Sequence, residues 1–260
     1  MNNCLILGFG RSGTSLLGGL LHHSGYFSGN HLHPARESNP KGFYEDVVIN
    51  RINEHILENY DYSKQYSDFP IYSKPYSPFS PRQGHRWLTY IKAGTNINCN
   101  NPEIIQRLIN TINCNKVFAY KDPRFSYTLS VWLPHLPANI RFLCIFRNPV
   151  SVAKSVVREC ESMDYLKDFH IDQNLVYDLW YQSYTNLLLL INKYKLDKKA
   201  LFIPYEGLIN GKYLQNISTY LNAEIHADFI DPELQRSKNK EAIPDILRPL
   251  YNKLMEFVPH

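Results

Sequence analysis

The N-terminal stretch limits what this chain can become more than any other. Cys4-Leu5-Ile6-Leu7 runs into Gly8-Phe9-Gly10-Arg11-Ser12-Gly13-Thr14-Ser15, and leucines follow at 16, 17, 20 and 21. A short apolar run bounded by glycine reads as a buried strand, and leucines at that spacing give a helix with one apolar face. Strand, glycine loop and helix in that order make a phosphate-binding corner of an α/β protein. Glycines let the loop curl so that successive N–H groups point inward, and the helix start adds positive potential. GxxxxG spans Gly8 to Gly13, yet Thr14 and Ser15 stand where a nucleoside-triphosphate enzyme carries Lys followed by Ser or Thr. Arg11 supplies the charge instead, as a planar fork suited to two oxygens of one phosphate or sulfate. An ordinary nucleotide loop and a tight structural turn are the other readings of this segment taken alone.

A second anchor lies near the middle. The apolar segment 140–146 reads as a strand and ends in Arg147-Asn148-Pro149, with Asn148 able to cap a helix and Pro149 suited to its first position. On that helix Ser151, Ser155 and Arg158 share one face. A magnesium-dependent NTPase needs an acid at the end of a comparable strand, and no apolar strand here ends in a lone Asp or Glu. A further strand, 116–120, ends in Lys121-Asp122-Pro123-Arg124. Strand ends on one edge of an open α/β sheet form the ligand crevice, which draws attention to the charges there. Asp122 reads as the cap of a helix over 125–133; Lys121 and Arg124 have no comparable structural role.

Between these anchors, Asn39-Pro40-Lys41-Gly42-Phe43-Tyr44-Glu45-Asp46 sets a turn that delivers two aromatics and two acids to a helix over 47–57. His31 and His33 lack the acid- or Cys-rich company of metal ligands and read as an exposed loop pair. Residues 60–86 carry tyrosines at 60, 62, 66, 72 and 76 and prolines at 70, 75, 78 and 81, which no helix or strand tolerates. That excursion is either a lid or acceptor-side wall, or an insertion packed by its own aromatics. A helix starts at Asn101-Pro102-Glu103, a long core helix covers 174–194, a short strand covers 200–204 and a last helix 245–258. The polar stretch 228–240 offers Arg236, Lys238 and Lys240 as a flap.

The 260 residues fit one domain with a substantial core. A net charge of +4 helps hold a multiply charged anion but is too small and too evenly spread for nucleic-acid binding. Five scattered cysteines with no CxxC pair fit a reducing compartment. With no signal peptide at the N-terminus and no apolar run of membrane-spanning length, the expectation is a cytoplasmic protein without a transmembrane anchor.

Together, GxGRSGTSLL, NPxGxxE, KDPR and an Arg–Ser pair eight residues apart, all in order over residues 5–158, are similar to motifs of sulfotransferases. The first resembles the 5′-phosphosulfate loop of enzymes that use 3′-phosphoadenylyl sulfate (PAPS), especially the bacterial and Golgi type. Tyr205-Glu206-Gly207-Leu208 is similar to the family's YEDL segment, but Gly207 replaces its acid, and no chemistry is assigned to it. The resemblance implies a single P-loop-type three-layer α/β domain with a central parallel sheet flanked by helices. It implies PAPS as co-substrate, no metal, and sulfuryl transfer to a hydroxyl of a small-molecule or glycan acceptor (sugar, glycolipid or phenol). Arg11, Ser12, Gly13, Thr14 and Ser15 would hold the 5′ end of the donor, and Arg147, Ser155 and Arg158 its 3′-phosphate. Arg11 and Lys121 would carry the leaving group's charge. Glu45 is the first choice of general base and Glu37 the second, with His33 and Asp46 behind them. A small-molecule kinase with a degenerate loop and a non-catalytic nucleotide-binding module are the alternatives.

Overall fold

In a computed structural model, residues 1–60, 62, 76–231 and 241–259 are described. Four strands, β1 (Cys4–Leu7), β2 (Ala119–Lys121), β3 (Arg141–Phe146) and β4 (Ala200–Pro204), pair in parallel in the order β2-β1-β3-β4. Helices flank the sheet: α1 (Thr14–His23), α2 (Val47–Glu58), α3 (Pro102–Ile112), α4 (Phe125–Trp132), α5 (Pro149–Ser162), α6 (Gln173–Lys193), α7 (Tyr205–Ile209), α8 (Leu214–Leu221) and α9 (Arg248–Glu256). The expected three-layer α/β class is the one observed. The β1 residues are wholly buried, as are Phe142 to Phe146 of β3, which is why both read as unbroken apolar runs. Each such side chain stabilises the fold by roughly 1.5–3 kcal/mol relative to exposure.

This strand order positions the site. The chain leaves β1 toward β2 on one side and leaves β3 toward β4 on the other. Loops that diverge in this way open a crevice at the carboxyl ends of two neighbouring strands. The 8–13 loop follows β1 and Arg147 follows β3, so two motifs over a hundred residues apart in sequence become neighbours. The two strand ends are also held tightly. A Cβ on Gly8, whose φ is +146°, would sit 2.3 Å from the Ile145 carbonyl oxygen. The buried Tyr184 hydroxyl of α6 donates to that same carbonyl at 2.8 Å and accepts from the Phe9 N–H at 3.2 Å.

The caps expected at Asn101 and Asn148 are in place: they accept from first-turn N–H groups of α3 and α5, each with proline at the helix start. β2 lies later than the expected 116–120 because Phe118 pairs instead with Phe27, whose carbonyl accepts the Ala119 N–H at 3.0 Å. α9 begins after Asp245, and α8, with Ile217 and Leu221 buried, was not foreseen. Within the 60–86 excursion, residues 76–86 form turns leading into a 3-10 turn at Arg86–Leu88. Its remainder, except Tyr60 and Tyr62, lies outside the described residues, as do Arg236, Lys238 and Lys240. Among the described residues no helix is long and apolar enough to cross a membrane.

Candidate active site

A cleft of about 950 Å³ opens at the carboxyl ends of β1, β2 and β3. Gly10, Arg11, Gly13, Thr14 and Ser15 form its floor, α5 one wall, and the segment 36–45 the other. Gly13 caps α1 with φ +96°, and a Cβ there would meet the Tyr205 ring at 2.4 Å. The first-turn N–H groups of α1 have no carbonyl of their own helix to bond, and they carry its positive end. Ser12 departs from expectation. Arg11 takes a left-handed φ of 65°, the chain turns back, and the Ser12 N–H donates to the Phe9 carbonyl at 3.2 Å. Ser12 is fully buried and forms no part of the cleft wall.

Arg11 joins three elements. Its Nε donates to Ser155 Oγ at 3.0 Å, its Nη2 to the Ser38 carbonyl at 3.1 Å, and its Nη1 lies 3.6 Å from a carboxylate oxygen of Glu159. Glu159, 3% exposed, also accepts from the Ser38 hydroxyl. Arg147 lines the same cleft with its guanidinium 4.2 Å from the centre of the Tyr205 ring. Burial pulls the Arg147 pKa below its ordinary value; Tyr205 and Glu206 oppose that, and the charge of Arg11 adds to it. Ser151, Ser155 and Arg158 of α5 all face the cleft, Arg158 exposed. The predicted donor residues other than Ser12 therefore meet in one place.

The predicted chemical residues divide. Lys121, 3% exposed at the end of β2, pairs with Glu45 and donates to Ser15 Oγ at 3.2 Å and to the Phe43 carbonyl at 3.3 Å. Glu45 and Lys121 thus sit together beside the glycine loop, while Glu37 lies exposed on the rim. Asp46 is committed elsewhere: it caps α2 through the Val48 N–H at 2.7 Å and accepts the His31 N–H at 2.9 Å. His33 lines the cleft and its Nε2 is 2.7 Å from Asn50 Oδ1. Asn50 Nδ2 donates to Asp122 at 2.7 Å, and a carboxylate only accepts, so this amide orientation makes His33 Nε2 the protonated ring nitrogen.

Asp122 is structural, though not as the expected helix cap. It accepts from the Arg124 N–H at 2.8 Å and Nη1 at 3.1 Å. Arg124 corrects the sequence reading. It is 5% exposed, and its Nε and Nη2 reach Glu54 at 2.8 and 2.6 Å, while Arg86 holds the other Glu54 oxygen at 2.7 Å. This is a buried, internally paired ion network beside the cleft.

Several cleft residues escaped the sequence reading. Glu159 continues the four-residue spacing of Ser151 and Ser155, a signal that was available. Tyr205 follows β4 as Arg147 follows β3, so the same positional reasoning finds it. Gly207, beside it, is filled by packing: a Cβ there would lie 2.1 Å from the Tyr213 ring. Trp87, whose ring would meet a Cβ on Gly10 at 2.7 Å, had no signal. Among the described residues no cluster of three or more His, Cys, Asp or Glu is disposed to hold a metal.

A model of the sulfotransferase family matches residues 4–224. No curated protein sequence matches the chain. Among solved structures, the sulfotransferase domain from the curacin biosynthetic pathway aligns over 99% of both chains with TM-score 0.55 and 16% identity. Sulfotransferase STF9 from Mycobacterium avium aligns over 98% of this chain and 76% of its own, with TM-score 0.51 and 13% identity. STF1 from Mycobacterium tuberculosis H37Rv gives 96%, 76%, 0.50 and 13%. At these identities the likeness is one of fold.

Proposed function

The chain belongs to the sulfotransferase family, and on that premise we propose that it moves a sulfuryl group from PAPS to a hydroxyl of a small-molecule or glycan acceptor. The observation that supports this best is the 3.0 Å hydrogen bond from Arg11 to Ser155, which joins the two anion motifs in one cleft. A donor phosphorylated at both ends needs both at once. The N–H groups of Gly13, Thr14 and Ser15 and the Arg11 guanidinium suit the 5′ phosphosulfate. Arg147, Ser155 and Arg158 suit the 3′-phosphate.

In this reading the acceptor oxygen attacks sulfur in line, the S–O bond to the bridging oxygen breaks, and adenosine 3′,5′-bisphosphate leaves. Glu45 takes the acceptor's proton, and Lys121, already against both Glu45 and Ser15, faces the oxygen on which charge develops. Glu37 is the alternative base, from the rim. The protein's work is alignment and charge stabilisation more than covalent chemistry.

A thermal-shift titration with adenosine 3′,5′-bisphosphate against ATP tests the donor assignment. The bisphosphate should raise Tm by mass action, by about 2.7 kcal/mol of stability at a hundred times its Kd. Equal or greater stabilisation by ATP would favour a kinase-like site and sink the assignment.

A further inference from the structure

The cations that line the cleft differ in how they are paired. Arg11, Lys41, Lys121, Arg124 and Lys154 each have a carboxylate within ion-pair distance: Glu159, Asp231, Glu45, Glu54 and Glu241. Among the described residues no ion pair is made by Arg158, an exposed cation of α5, nor by Arg36 and Arg51. Arg36 and Arg51 lie on the side of the cleft that carries Glu37 and Glu45.

Arg36 is also held for use. Its N–H and carbonyl both bond residue 39 across a tight turn, at 3.2 and 2.8 Å, which fixes the backbone. Its guanidinium lies over two rings, 5.1 Å from the centre of Tyr165 and 5.8 Å from that of Phe43. The Tyr165 backbone is itself pinned, because its carbonyl accepts from Arg82 at 3.2 Å and lies 2.6 Å from His85 Nε2. Rings of this kind hold a guanidinium in place without neutralising its charge, which stays available to an anion. The turn that carries Arg36 also borders the donor side, since Arg11 donates to the Ser38 carbonyl and the Ser38 hydroxyl to Glu159, whereas Tyr165 lies beyond the end of α5.

We propose that Arg36 anchors the acceptor by binding an oxyanion (carboxylate, phosphate or sulfate) that the acceptor carries apart from its reacting hydroxyl, with Arg51 adding to the positive potential. Calling that anion part of the acceptor rests on the sulfuryl-transfer reading; that Arg36 binds an oxyanion does not.

The test is calorimetric binding to the whole chain with the donor pocket filled by adenosine 3′,5′-bisphosphate. The probes are 4-hydroxybenzoate, its neutral isostere 4-hydroxybenzamide, and phenyl phosphate for the phosphate case. At least one anionic probe should bind about tenfold or more tighter than the amide, the gap expected of a charge-assisted hydrogen bond. Arg36→Gln should erase the gap and leave bisphosphate affinity unchanged, and Arg36→Lys should restore only part of it. The proposal falls if wild type shows no gap, if the gap survives in Arg36→Gln, or if that variant weakens the bisphosphate, which would assign Arg36 to the donor. A chain indifferent to the bisphosphate that still shows an Arg36-dependent gap would overturn the donor reading and uphold the anion site.

Discussion

Arg124 and Arg147 each follow the carboxyl end of a parallel strand, three and one residues beyond β2 and β3. Position in the fold does not tell them apart. Burial works against the charge of both, but around Arg124 the carboxylates of Asp122 and Glu54 outweigh it and hold the pKa above the ordinary arginine value. Around Arg147 burial wins, and Arg11 pushes in the same direction. One arginine finds its counter-charge within the chain. The other lies in the cleft, where Tyr205 and Glu206 offset only part of the effect of burial. Strand-end position alone therefore does not settle what a cation does; its surroundings do.

The comparison breaks most readily at Arg124. Arg124→Ala leaves Asp122 with no cation and Glu54 with Arg86 alone, and should cost about 3–5 kcal/mol of stability. Urea unfolding measures this, and a cost below about 1 kcal/mol would mean the network is not structural. Arg147→Gln should cost far less stability than Arg124→Ala, because it removes a charge that burial penalises, while weakening adenosine 3′,5′-bisphosphate by about ten- to a hundredfold, the worth of a lost charge-assisted contact. If calorimetry and unfolding show both variants changing the same quantity, the two arginines are not of different kinds.

His85 sharpens the contrast more gently. It lies beside the paired network, and burial foremost keeps its pKa below the ordinary value, with Arg82 and Arg86 helping and the Tyr165 carbonyl and Glu54 opposing. Between that lowered value and 6.5 the unfolded chain binds more protons than the folded one. Stability should therefore decline as pH falls from 6.5 into that window and level off below it, by at most about 1.4 kcal/mol per pH unit. His85→Gln should flatten that limb of an unfolding-midpoint profile; an unchanged limb would assign the acid sensitivity elsewhere.

What sequence made legible follows local chemistry. The strand, loop and helix at the N-terminus, the Asn101 and Asn148 caps, and the turn that delivers Glu45 are written in adjacent residues. Arg147 was legible because it follows an apolar strand and pairs with Ser155 in a recognisable motif. Arg124 was misread because its partner Glu54 is 70 residues away, and no local pattern announces a buried pair. Ser12 was misplaced because one positive φ at Arg11 turned its N–H inward. Trp87 comes from a segment with no periodicity, and only the folded chain brings its ring over Gly10.

The packing at Gly207 bears on how variants of this enzyme can be built. Aspartate installed there, to match the acid of similar segments, would drive its Cβ to within 2.1 Å of the Tyr213 ring. Positions 207 and 213 thus behave as a linked pair, and a productive route between the two arrangements must trim the ring before, or together with, adding the carboxylate.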